Sequence, residues 1–143
     1  YFVMEIDKRI ISFIKKHHVL AIASSINNIP YCASCFYVYN ESLNMFIFSS
    51  DEKTKHVNDF KLNPKVSIAI ALETNFIGKI QGVQVTGDVL LLKDDVLKKA
   101  NISYLKKFPF AILTELTLWG VVPDFIKLTD NRLGFGKKLI WTK

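Results

Sequence analysis

Residues 19–50 read VLAIASSINNIPYCASCFYVYNESLNMFIFSS. Three runs in this stretch carry the residues that suit a pleated, half-buried surface, and two clusters of turn-forming residues separate them. The first run, 19–26, predicts a strand. Asn27-Asn28-Ile29-Pro30 is a turn. Residues 31–39 are a second strand, Asn40-Glu41-Ser42 a second turn, and residues 44–50 a third strand. Short turns between strands mean antiparallel neighbours, so the stretch predicts a meander.

On the N-terminal side, Ile6, Ile10, Phe13, Ile14 and Val19 recur at helical spacing, with Lys8, Arg9, Lys15 and Lys16 turned away. Residues 5–18 therefore predict an amphipathic helix, with Asp7 favouring its positive end. On the C-terminal side, residues 51–63 predict a short helix ending before Pro64, because proline disfavours helix at the residue before it. Val66, Ile68 and Ile70 alternate in a fourth strand over 65–73. Val83, Val85 and Val89 alternate in a fifth over 80–92, where Gly87 signals a bulge or a close backbone approach. Residues 94–108 predict a helix opened by Asp94 and Asp95 and closed by Phe108-Pro109. Residues 117–129 are a sixth strand, Thr129-Asp130-Asn131 a turn, and Leu133 to Lys143 a glycine-interrupted tail. Six strands with flanking helices in a single domain spanning residues 1–143 predict a mainly β, α+β fold: a closed or nearly closed antiparallel barrel.

The 143 residues are 50% hydrophobic and 13% aromatic, enough for a packed core, and 22% charged. No apolar run reaches the ~18 residues that span a membrane. The opening residues lack a signal-peptide pattern, so the expected location is cytoplasmic. Met4 is the expected natural start, with Tyr1 to Val3 as additions. The net charge of +6 attracts anions without choosing among them. Cys32 and Cys35 form a C-x-x-C, but in a strand residues three apart face opposite ways. A redox or zinc pair needs both sulfurs on one side, so both cysteines are expected to be structural.

The junction over 48–56 is the best anion site in the sequence. Ser49 and Ser50 supply hydroxyls, Ser50 or Asp51 can cap the following helix, and the first-turn N–H groups and the dipole favour a negative ligand. Lys53, Thr54, Lys55 and His56 add charge and donors. Asp51 and Glu52 must face away for a phosphate to bind. His17 and His18 complement the end of the first helix. The segment Gly134-Phe135-Gly136-Lys137-Lys138 reads as a tight turn. No zinc-ligand spacing, H-E-x-x-H, nucleophile elbow, Walker or dinucleotide glycine pattern occurs, and no metal site is expected.

The order of elements, with Ser-Ser-Asp-Glu-Lys-Thr-Lys-His at 49–56 and Asn63-Pro64-Lys65-Val66-Ser67, resembles the pyridoxamine 5'-phosphate oxidase-like FMN-binding split barrel. Gly82-Val83-Gln84-Val85-Thr86-Gly87 and the tail from Thr129 to Trp141 are similar to the uncharacterised bacterial YhbP-like family within that class. The resemblance covers residues 5–143 and implies a homodimer with FMN between subunits. It places the phosphate at Ser49, Ser50, Thr54, Lys55 and His56 with Lys53 nearby, and the flavin ring along Ser34, Cys35 and Phe36. Gln84 and Trp141 complete the site. Three departures stand out: Ala33 occupies the position matched to the oxidases' second-strand arginine, His56 that of their helix lysine, and the tail lacks their Arg-Leu-x-Pro string. Pyridoxamine phosphate oxidase activity is therefore not implied.

The leading expectation is an FMN-binding flavoprotein acting as an oxidoreductase on an unidentified small molecule. The alternative is a haem or other planar-anion binding protein on the same barrel. A nucleic-acid-binding barrel ranks last, because the lysines are dispersed rather than gathered on one aromatic-studded face.

Overall fold

Asn27 and Asn28 both adopt positive φ, 51° and 65°, the conformation that a two-residue type I′ hairpin loop demands and that asparagine tolerates. In the computed structural model, which describes residues 4–143, this loop joins β1 (Val19–Ile26) to β2 (Ile29–Asn40) with Ile26 opposite Ile29. The turn is thus two residues, not the expected four. Ile29 and Pro30 belong to β2, where proline is tolerated at a strand's start. The expected reading of Tyr1 to Val3 as additions lies outside the described residues.

β3 (Met45–Ser49), β4 (Lys65–Ala71), β5 (Gln81–Leu91), β6 (Leu118–Asp130) and β7 (Lys138–Thr142) complete one antiparallel sheet in the order β3-β2-β1-β4-β5-β6-β7. A further pairing of β3 with β6 closes the first six strands into a barrel. The six-stranded split barrel predicted from sequence is therefore present, with one correction. The tail is not merely glycine-interrupted coil; it returns as a seventh strand pairing Trp141 with Ile126. β6 changes partner along its length, meeting β3 at Leu118–Val121 and β7 at Phe125–Thr129. The split lies where it leaves one neighbour for the other.

Gly87 marks the bulge its position predicted. The β5–β6 register shifts between Thr86 and Gly87, and a Cβ at Gly87 would collide with the Val122 carbonyl oxygen.

The strands alternate as their sequences require. Leu20, Ile22, Tyr37, Ile68, Ile70, Val83, Val85 and Ile126 fill the barrel. β3 is buried on both faces because α3 (Asp94–Lys107) packs outside it, where Met45, Ile47 and Leu118 meet Ala100 and Tyr104. α1 (Lys8–Lys16) buries Ile10, Phe13 and Ile14 against the barrel. It is shorter than the 5–18 expected, so His17 is its C-cap residue rather than part of its last turn. Side chains satisfy the carbonyls left free at this end: Tyr37 donates to Ile14, His17 Nδ1 pairs with the Phe13 oxygen at 2.8 Å, and the half-buried Lys107 donates to His17. α2 (Lys55–Leu62) packs Phe60 edge-on against Phe48 and Trp119.

Candidate functional site

The β3–α2 junction brings the sequence-predicted phosphate residues together, but with partners of their own. The helix begins at Lys55, three to four residues later than a cap at Asp51 or Ser50 would place it. The cap is Thr54, whose hydroxyl accepts from the Val57 N–H and donates to the Asp51 carbonyl oxygen. Ser50 is buried instead. Its Oγ lies 2.8 Å from His56 Nε2 and 3.5 Å from Cys35 Sγ. His56 is itself buried, which lowers its pKa and leaves a neutral ring at pH 7. His56 thus closes an internal polar chain instead of presenting a cation at the junction.

Lys55 remains half-exposed. Its ammonium contacts both oxygens of Asp59, at 3.1 and 3.2 Å, and lies 4.9 Å from the centre of the Tyr31 ring. Asp59 is buried and also accepts from the Ser24 hydroxyl at 2.8 Å; that hydrogen bond and Lys55 hold its carboxyl below the usual range against the effect of burial. Three donors sit on an ammonium, so Lys55 can bind a further anion without leaving Asp59. Asp59, Ser24 and Tyr31 were not picked out from the sequence. The Lys55-x-x-x-Asp59 spacing was the available signal, since residues four apart on a helix are neighbours. Lys53 is exposed, and with Ser49, Asp51, Glu52, Glu115 and Thr117 it lines a shallow cavity beside the junction. Asp51 and Glu52 do not turn away from this cavity, and its three carboxylates exclude it as the phosphate cradle.

A second group of predicted residues lies on the outward face of the sheet. Cys32, Ser34 and Phe36 project outward from β2, whereas Cys35 points into the core. The opposed faces expected for the C-x-x-C pair are present. Gln84 projects from β5 and with Cys32, Thr86 and Phe125 walls a trough of about 280 Å³ floored by Ala21, Ala23 and Ala69. The small floor residues leave room above the sheet for a planar ring system.

Trp141 is not brought to this trough. It is buried on β7, donates to the Met4 carbonyl at 2.9 Å, and lines a different cavity with Tyr39, Ile6 and Ile11. The turn at Gly134–Gly136 is present as expected, with both glycines at positive φ (128° and 71°). Among the described residues, no three His, Cys, Asp or Glu side chains gather as a metal site, and no helix is long and apolar enough to cross a membrane.

The chain is 34% identical over 131 residues to a UPF0306 protein of Photorhabdus laumondii, covering 92% of each chain. It is 35% identical to a UPF0306 protein of Yersinia pseudotuberculosis, covering 92% of this chain and 89% of the relative. No protein-family model matches. Among solved structures, a haem-binding protein from Mycobacterium smegmatis superposes with a TM-score of 0.77 at 15% identity, over 98% of this chain and 60% of that one. An FAD-binding protein from Mesorhizobium loti gives 0.68 at 17% identity, over 85% and 90%. A candidate pyridoxamine 5'-phosphate oxidase from Listeria innocua gives 0.68 at 16%, over 83% and 94%. These likenesses establish the fold.

Proposed function

The chain belongs to the UPF0306 family, and from that membership and the outward face of its barrel we propose that it binds FMN between two copies of itself and serves as a flavin-dependent oxidoreductase. The observation that carries this reading is the alanine-floored trough. Its small floor residues leave room for a flavin ring, Gln84 on one wall offers an amide that can donate and accept, and the trough is open to solvent, so that a second copy could cover it. Ser34 and Phe36 extend the same face along β2. The FAD-binding Mesorhizobium protein, which shares the fold, supports a flavin as the class of ligand.

The residues present fit a flavin mononucleotide in an altered way. Lys55, with an N–H to spare, takes the role of principal phosphate partner, while Lys53 stays with the carboxylates of the neighbouring cavity. Ser50 and His56 hold the junction's shape from within rather than touching the phosphate. FMN would supply the electron-transfer chemistry, while the chain positions the ring and excludes water from one face.

Absorbance and fluorescence titration with FMN, with riboflavin alongside, tests the proposal. FMN should bind more tightly than riboflavin, and Lys55→Gln should remove the difference, a loss of about tenfold for one charge-assisted hydrogen bond. Protein that takes up neither flavin would refute the reading.

A haem-binding alternative has one specific support besides the Mycobacterium smegmatis fold. His17 and His56 are engaged through ring nitrogens, but His18 is exposed, its ring centre 6.2 Å from that of Phe108, which also packs against Phe36. A Soret band on haemin titration, lost in His18→Ala, would favour it.

A further inference from the structure

The sequence contains 17 lysines but only two arginines, Arg9 and Arg132. They lie 123 positions apart by number, at the start of α1 and just after β6, yet the fold sets both on one groove of about 370 Å³. Each is held in the same way. Asp7 accepts from the Arg9 backbone N–H at 2.8 Å, from Nε at 3.0 Å and from Nη2 at 2.8 Å. Asp130 accepts from the corresponding atoms of Arg132 at 3.0, 3.0 and 2.8 Å. The arginines of two Asp-x-Arg units with matching geometry therefore line one groove.

A carboxylate behind each guanidinium fixes its plane and leaves three of its five N–H groups free. Asp130 is buried. The Arg132 fork first, and then the charges of Arg132 and Arg9, hold its carboxyl low. Lys8 and Lys16 line the groove from α1, and neither is in an ion pair among the described residues. Four cations against two carboxylates leave two positive charges. Ser12 and Gln81 add neutral donors, and Phe13, Leu128 and Leu133 give the groove apolar walls.

We propose that this groove is an anion site for a small soluble phosphate ester or diphosphate, gripped by both Arg9 and Arg132. Arginine rather than lysine is what such a site needs, because a planar fork matches phosphate oxygens in pairs while an ammonium does not. The groove is separate from the trough on the outer sheet face: the two share no lining residue.

The probe is inorganic pyrophosphate, and the readout is the pair of arginine Nε–Hε signals in the NMR spectrum of the whole protein. Two arginines give two such signals, so the assignment is simple. Pyrophosphate should shift both along one saturable curve at constant ionic strength. Arg9→Lys and Arg132→Lys, which keep charge and fold but lose the fork, should each weaken binding about tenfold, the worth of one bidentate contact. Lys55→Gln should bind pyrophosphate as the parent does, which separates this site from the flavin site. Shifts that fail to saturate, or that sodium chloride reproduces, would overturn the proposal. So would binding unaffected by either lysine variant, or micromolar affinity for a single-stranded oligonucleotide with none for pyrophosphate.

Discussion

His56 Nε2 lies 2.8 Å from Ser50 Oγ, and the same hydroxyl lies 3.5 Å from the Cys35 thiol. The imidazole, hydroxyl and thiol are all buried and form a chain linking α2, the end of β3 and the middle of β2. Neutral partners suffice for this chain, so the fold favours an uncharged ring.

A pH dependence follows. Burial depresses the His56 pKa below its ordinary 6.5, so below that pH the unfolded chain binds the proton more readily than the folded one. The stabilising contribution is complete above about pH 6.5 and is lost as pH falls through the lower folded value. The melting temperature should therefore drop between pH 7.5 and pH 5, ahead of the acid transition of the carboxylates. His56→Gln, which cannot titrate, should be less stable at pH 7.5 but flatter over that range. A parent and variant with parallel profiles would show that another group controls it.

Asp59 ties Lys55 to Ser24, so replacing it changes stability and ligand binding in opposite directions. Asp59→Asn should lower the melting temperature, since it weakens two contacts of a buried side chain. It should also strengthen FMN binding, by releasing the full charge of Lys55. Titration of the variant with FMN and with riboflavin separates the effects, because riboflavin affinity should not rise.

The two cysteines should differ in reactivity. Cys32 is exposed on the trough, while Cys35 is buried, with its thiol pKa pushed up by desolvation. An aromatic disulfide reagent should modify Cys32 first and Cys35 only on unfolding, with Cys32→Ser abolishing the fast phase. FMN should slow that phase. A fast phase indifferent to FMN would place the ring elsewhere.

Gly87 should tolerate no side chain. A methyl group there meets the backbone of Val122 and Pro123 rather than a movable side chain. Gly87→Ala should cost about 1–3 kcal/mol in urea unfolding, as overpacking does. Gly82→Ala, where the nearest atom would be 3.5 Å away, should be far milder and serves as the control.

Six of the seven strands, the three main helices, the hairpin at Asn27-Asn28 and the bulge at Gly87 were legible in the sequence because each depends on neighbours a few residues apart. Alternation of Ile68 and Ile70, or of Val83 and Val85, reports a strand whatever it later pairs with. The β7 strand escaped because Gly134 and Gly136 break the pattern, and what makes residues 138–142 a strand is the exposed edge of β6. The candidate phosphate segment was legible as a list of donors, but not which donors were free. Thr54 as cap, His56 on Ser50 and Lys55 on Asp59 depend on how α2 docks over the barrel. The groove of Arg9 and Arg132 is the extreme case. Each Asp-x-Arg unit is visible locally, but only chain closure, with α1 packed beside the end of β6, sets the two guanidiniums on one cavity. Local periodicity follows from backbone geometry, whereas the facing of distant charges follows from packing that no local window contains.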